Sequence, residues 1–208
     1  DALKNVTTGS NNTAIGFFAG EALTTVSENT AIGSYALAQA TTAPRSTAVG
    51  YKALFTTTTE GYNTAVGWGA LQASVSNANV AVGHQAMKQA TSANDSVAVG
   101  SNALYSLTTG ASNTAVGMGA MQNATTANQN TCIGKKAGYD LSTGFLNTAV
   151  GQDALADGTT CENAVAVGAS ALLKLTTGGS NVGVGQGAGK EITTGAGNTC
   201  IGNEAGSN

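Results

Sequence analysis

The sequence is poor in the residues on which most catalytic sites and most nucleic-acid interfaces depend. Its 208 residues include one proline and one histidine, with 5% aromatic and 9% charged residues. The formal net charge is −3, and no basic cluster is present that would serve as a footprint for nucleic acid or an anionic membrane surface. No apolar run reaches the length of about 18 residues that spans a bilayer, so we expect no membrane insertion.

What the sequence does contain is a repeat, seen most clearly in Asn63-Thr64-Ala65-Val66-Gly67. Versions of this stretch end at twelve glycines, and ten of the eleven intervals between them are 17 residues, whereas the interval from Gly67 to Gly83 is 16. We call these the corner glycines: Gly16, Gly33, Gly50, Gly67, Gly83, Gly100, Gly117, Gly134, Gly151, Gly168, Gly185 and Gly202. A near-constant period of this length predicts a solenoid with one coil per repeat.

Each position of the repeat has its own residue type. Val or Ile precedes every corner glycine, Asn stands four residues before nine of them, and Ala follows three residues after all twelve. The β-branched residues suit a strand, and the glycine suits a tight corner where a side chain would clash. The sequence therefore predicts an all-β fold, a parallel β-solenoid of about twelve 17-residue coils. Its strands would stack about 4.8 Å apart, with the Asn and Thr columns hydrogen-bonding as ladders.

The fourth residue after the corner glycine is predicted to supply the large apolar side chain that fills the interior of each coil. That residue is Leu or Met in eight repeats and Gly in four, and in three of those four a large aliphatic residue appears three positions later, as Leu23, Leu141 or Ile192. The apolar group is thus moved along the coil and not lost, as a packed interior requires. We predict one domain over residues 1–208. Because Asp1-Ala2-Leu3 reads as the tail of a preceding repeat, we expect a segment of a longer fibrous protein.

The motifs NTAIG, NTAVG and NVGVG, each followed by a two-residue corner and Ala, carry a family resemblance. They resemble the NSVAIG-type repeats of trimeric autotransporter adhesin heads, the YadA-like family. They are more similar to the NTAVGxxAL repeats of phage tail fibres and related bacterial surface proteins. The resemblance implies a left-handed parallel β-roll, a side-by-side homotrimer and attachment outside the cell or on a virion. The 17-residue period and the Thr after Asn depart from the adhesin heads and favour the phage-fibre branch.

The residues two positions before the corner glycines bear on assembly. Strand neighbours alternate in direction, so if Val and Ile face the interior, this small-residue column faces outward. We expect two further copies of the chain to cover it as a trimer seam, the alternative being an ordinary exposed face of small residues. We call it the alanine column: Ala14, Ala31, Ala48, Ala65, Ala81, Ala98, Ala115, Cys132, Ala149, Ala166, Gly183 and Cys200.

Aromatic residues just after the corner glycines of the first five coils form the one candidate recognition surface. These residues, with the single histidine, are Phe17, Phe18, Tyr35, Tyr51, Trp68 and His84. They could pack on the sugar rings of a host-surface glycan or on a protein receptor. The alternative, which we favour, is that they plug a groove between chains or cap the end of the roll.

Catalytic and metal chemistry have little support. The stretch Val49 to Leu54 has the outline of a hexapeptide unit of β-helical acyltransferases, but it occurs once per coil, and His84 would be an isolated general base. No aspartate recurs at a fixed position, unlike in calcium-binding β-rolls, and the cysteines Cys132, Cys161 and Cys200 show neither zinc-ligand spacing nor a disulfide framework. We therefore predict no enzyme, metal or cofactor.

Binding to a repetitive surface such as ice or polysaccharide, by a monomeric solenoid, is the alternative function. Eight threonines stand in one strand column at an ice-like spacing. They stand two residues before the Val or Ile of each strand, so both side chains point to the same side of the sheet. If Val faces the interior, the threonines therefore face inward or lie at the rim. A flat patch of exposed threonine would favour this alternative.

Overall fold

The computed structural model describes residues 1–207, so the predicted domain extends one residue, Asn208, beyond the described part. Within that part the chain forms twelve three-residue strands and no helix, and each strand ends at the residue before a corner glycine. The strands are β1 (Thr13–Ile15), β2 (Thr30–Ile32), β3 (Thr47–Val49), β4 (Thr64–Val66), β5 (Val80–Val82), β6 (Val97–Val99), β7 (Thr114–Val116), β8 (Thr131–Ile133), β9 (Thr148–Val150), β10 (Val165–Val167), β11 (Val182–Val184) and β12 (Thr199–Ile201).

The strands form one parallel sheet in which β1 to β12 follow one another in chain order. Equivalent positions pair in every step, as Ala14 does with Ala31. Strands β4 and β5 keep the same register across the 16-residue interval, where Ala65 pairs with Ala81. The missing residue is therefore absorbed outside the strands, and the predicted all-β parallel solenoid is confirmed.

The predicted orientation of the strands is wrong. The ten members of the alanine column from Ala31 to Gly183 are buried inside the chain, whereas the Val/Ile column points outward and leaves Ile15 61% and Ile133 41% exposed. The strand threonines share that outward parity, so the expectation that they face inward or sit at the rim, which assumed an interior Val, is wrong as well. The alanine column cannot form a seam between chains, because its side chains already lie in the core of one chain.

The narrow interior of the coil explains this orientation. A methyl group added to Gly183 would lie 2.8 Å from Leu172 Cγ and 2.9 Å from the carbonyl oxygen of Ala188. The larger Cys132 fits in the same column because its coil has Gly138 opposite, where an added Cβ would come within 2.6 Å of Cys132 Sγ. A Val or Ile at this position would overfill the coil, so the larger strand side chains face outward.

The predicted relocation of the apolar side chain is confirmed. Leu23 and Leu141 are fully buried, and Ile192 is partly buried against the core. In the first coil, a Cβ on Gly20 would lie 2.9 Å from Leu23 Cδ1, so the leucine occupies the space that a side chain there would need. The interior is thus filled from the fourth or the seventh residue after the corner glycine, and in two coils from both, as Leu104 with Leu107 and Leu172 with Leu175.

The asparagine ladder is confirmed and lies in the buried region just before each strand. Asn130 is typical: its Oδ1 accepts a hydrogen bond from the backbone N–H of Asn147 at 2.9 Å, and its Nδ2 donates to the carbonyl oxygen of Gly144 at 2.9 Å. The first bond joins equivalent residues of neighbouring coils, and the second closes a stretch of 14 residues. The ladder therefore satisfies buried backbone groups that the three-residue strands leave unpaired.

Candidate interaction surfaces

The described residues 1–207 form no pocket and no cluster of three or more His, Cys, Asp or Glu side chains able to hold a metal ion. In the same residues no helix is long and apolar enough to cross a membrane. The surfaces that remain are extended ones, repeated from coil to coil. Three of them are distinct, and each is built from fixed positions of the repeat.

The strand face consists of the outward side chains of β1 to β12. Its first column is Thr or Val and its second is Val or Ile, and the members are half-buried or exposed. Val80, Val167 and Val184 are 36 to 37% exposed in the single chain. Because pairing is in register, these side chains form two continuous columns along the whole sheet, which makes the strand face a long apolar strip edged with threonine.

The aromatic row is the group of six residues predicted as a recognition surface, and the structure brings all six together. Phe17 packs on Phe18 with ring centroids 4.0 Å apart, and the row continues through Tyr35 and Tyr51. Tyr51 stacks on Trp68 at 5.9 Å, and Trp68 stacks on His84 at 5.2 Å, both with an interplanar angle of 21°. Phe17, Tyr51, Trp68 and His84 remain exposed, whereas Phe18 and Tyr35 are half-buried.

Two lysines that the sequence reasoning missed cover faces of this row. Lys52 Nζ lies 5.3 Å from the ring centroids of Tyr51 and Phe55, and Lys88 Nζ lies 5.4 Å from that of Trp68. Cation–π contact of this kind stabilises an ammonium over a ring. Ring faces of Tyr51, Trp68 and His84 are thus covered by one another and by lysines, whereas Tyr35 meets Phe17 and Tyr51 edge to face. The stacked part of the row therefore has fewer free ring faces on which a sugar could pack.

The join face was also missed, because the recurring Thr-Thr pairs indicated only turns. The first member of each pair forms the inner threonine row, whose hydroxyls donate to the carbonyl oxygen of the equivalent residue one coil on, at 2.9 to 3.3 Å. These donors are Thr7, Thr24, Thr41, Thr91, Thr108, Thr125, Ser142, Thr159 and Thr176.

The next residue along forms the outer threonine row, which is exposed throughout: Thr8, Thr25, Thr42, Thr59, Ser92, Thr109, Thr126, Thr143, Thr160, Thr177 and Thr194. The 17-residue recurrence of Thr-Thr was the signal that could have revealed it.

The cysteines lie apart from these surfaces. All three are unpaired, with Cys132 and Cys161 buried. Burial raises the pKa of Cys132 to about 12 and that of Cys161 to about 11, because a thiolate would be desolvated there. Both are therefore neutral thiols at physiological pH and poor nucleophiles.

The fold and its surfaces define a parallel β-solenoid repeat protein whose accessible chemistry lies on long, repeated faces. No protein-family model, no curated protein and no solved structure matches the chain.

Proposed function

We propose that the chain is a non-enzymatic segment of a homotrimeric extracellular or virion fibre, which extends the fibre and presents it for attachment to a host surface. The observation that supports this most directly is the strand face, an apolar strip along all twelve strands. Long apolar strips on soluble proteins mark interaction sites. The seam that we propose is therefore the Val/Ile column and its neighbouring Thr/Val column.

The parallel register suits a side-by-side assembly. A three-fold rotation about an axis parallel to the rod sets every coil of one chain level with the equivalent coil of the other two, so each Val or Ile can meet its equivalents in the partner copies. Three equivalent rods joined in this way make a stiff fibre with three equal outer faces. Repeated weak contacts from such faces would provide avidity in host attachment.

The mass of the chain in solution tests the proposal. Light scattering on a size-exclusion column, over a concentration series, is expected to give three times the chain mass of 20.3 kDa. Val116→Lys, in the middle of the strand face, is expected to reduce that mass to the monomer, because three buried ammonium groups would repel one another across the seam.

Gln89→Lys is the matched control, since it adds the same charge at an exposed position outside the strands. It should keep the trimer mass. A wild-type chain that remains at 20.3 kDa at every concentration would contradict the trimer. That result would favour the second candidate, a monomeric solenoid whose strand face binds a repetitive surface such as ice or polysaccharide, for which the outward threonines are the supporting observation.

A further inference from the structure

The join face offers a second repeated surface, separate from the strand face. We propose that its two threonine rows form a face that binds an ordered water lattice, the surface of ice. The proposal does not depend on the trimer. The residues of the join face stand at other positions of the repeat than the strand residues of the proposed seam.

The rows are rigid because several donors converge on each carbonyl group. The carbonyl oxygen of Thr125 accepts the backbone N–H of Thr108 at 2.9 Å, that of Thr109 at 3.3 Å, and the Thr108 hydroxyl at 2.9 Å. The carbonyl oxygens of Thr108 and Thr176 are approached in the same way. The inner hydroxyls are therefore fixed, and the outer residues that follow them are held at one position per coil.

The outer row is free to bind along most of the rod. From Ser92 to Thr194 it runs through seven successive coils without interruption, and all seven side chains are exposed. With a strand spacing of about 4.8 Å this stretch is roughly 29 Å long. The 16-residue repeat interrupts the row between Thr59 and Ser92, so the face divides into a short and a long part.

The surroundings of the long part disfavour several kinds of ligand. The residue directly after each outer residue is buried in six of the seven coils, and the next residue along lies at the surface. These surface neighbours are Asn94, Ala111, Asn128, Phe145, Glu162, Gly179 and Ala196. One carboxylate and one ring among seven positions give no repeated charge for phosphate or another ion, and no repeated platform on which sugars stack.

Ordered water fits what remains. Each outer threonine presents a hydroxyl, with one donor and two acceptor lone pairs, beside a methyl group. Because both groups recur at the coil spacing, they hold the first water layer at a regular interval close to that of a lattice direction in ice. Pre-ordered groups bind without a further loss of side-chain freedom, and a repeated row multiplies a weak contact.

The test is the growth of a single ice crystal in a nanolitre osmometer. We expect the wild-type chain to shape the crystal into facets and to hold its growth below the melting point. Thr126→Lys with Thr143→Lys places two long charged side chains in the long part of the row and should abolish most of that freezing gap. Circular dichroism melts of both proteins establish that the fold is retained.

Gln152→Lys is the control, since it adds a lysine at an exposed position directly after a corner glycine and outside the two threonine rows. It should leave the freezing gap unchanged. Round crystals with no gap for the wild-type chain would overturn the proposal, as would a folded Thr126→Lys, Thr143→Lys variant with full activity, which would point to the strand face instead. Threonine-dependent retention on microcrystalline cellulose, without any effect on ice, would also overturn it and identify a polysaccharide as the ligand.

Discussion

The hydrogen atom on each corner glycine allows neighbouring coils to stack. These glycines have φ between 121° and 139°, a backbone conformation that residues other than glycine rarely adopt. A Cβ on Gly100 would lie 2.5 Å from the carbonyl oxygen of Gly117 in the next coil. The glycine is therefore needed for two reasons, its backbone conformation and the contact with its neighbour.

The two reasons can be separated by experiment. Gly100→Ala should lower the free energy of unfolding by at least about 2 kcal/mol, because backbone strain and a clash with backbone atoms add. Gly202→Ala is the control: its φ is 121°, but an added Cβ would meet only Ala205 Cβ, at 3.9 Å. Chemical denaturation of both variants gives the difference. Equal losses would contradict a role for the contact between coils.

Beyond single residues, the asparagine ladder joins each coil to the next, and it has one natural gap. At Ala164 the position has no side-chain amide, so the backbone N–H of Asn181 lacks the partner that Asn130 provides for Asn147. The coils of Asn130 and Ala164 carry Leu141 and Leu175 at equivalent buried positions, although Gly138 in the first corresponds to Leu172 in the second. The backbone groups that Asn130 bonds have equivalents in both coils, so Asn130 shows how an asparagine would be placed at position 164.

Filling this gap should stabilise the chain. In Ala164→Asn, we expect Oδ1 to accept from the Asn181 N–H and Nδ2 to donate to the Gly178 carbonyl oxygen. With about 1 kcal/mol for each new hydrogen bond, the free energy of unfolding should rise by about 1 to 2 kcal/mol. Thermal and chemical denaturation measure the change.

Asn130→Ala is the reciprocal variant and should destabilise the chain, because it leaves the buried Asn147 N–H without its acceptor and removes one of the two donors to the Gly144 carbonyl oxygen, the other being the Asn128 N–H. If Ala164→Asn lowered stability while Asn130→Ala did so too, the two coils would not be equivalent, and the ladder would not be the repeating unit that we describe.

The strands and ladders also show which features the sequence could predict. Period, strand positions, register and the Asn column follow from the recurrence of Asn-Thr-Ala-Val-Gly, because a residue type that returns every coil must meet itself in the next coil. The relocation of Leu23 and Leu141 follows from volume conservation. These features depend on spacing and size alone.

Which side of the strand is inside could not be predicted in that way. Alternation gives two opposite faces, and hydrophobicity favours Val over Ala for the core. The narrow coil reverses that preference, since even a methyl group at Gly183 meets Leu172. The candidate seam was therefore placed on the wrong column. The width of the coil depends on the backbone conformation of all the corner residues together, which the residue types at one repeat position do not reveal.

The corners themselves were the largest omission. The second and fourth residues after every corner glycine have positive φ, including ordinary residues such as Lys52 and Leu54. Gly69 and Gly20 occupy the same two positions in other coils, with φ of 63° and 59°. Glycines scattered over these columns were the available signal, because glycine is tolerated wherever φ is positive.

As a whole, the molecule is a stack in which, over residues 1–207, each strand contacts the strands of the neighbouring coils and no other strand. Its strands pair only with the preceding and following strands. In such solenoids stability is close to a sum of coil and interface contributions. A complete coil is therefore the unit that can be removed without disturbing the rest, and a partial coil is not.

Deletion of residues 101–117, one full 17-residue repeat, tests this property. Gly100 would then be followed by Met118, and the Ser96 hydroxyl, which now accepts the N–H of Asn113, would meet the equivalent N–H of Asn130. We expect a folded rod shortened by about 4.8 Å in small-angle scattering, with a cooperative unfolding transition at slightly lower denaturant concentration. Deletion of residues 101–109 is the control and should disrupt the stack between β6 and β7, because it shortens the interval from Gly100 to the next corner glycine from 17 residues to 17 − 9 = 8, too few to complete a coil. A folded product from the partial deletion, or an unfolded one from the full-coil deletion, would contradict the additive stack.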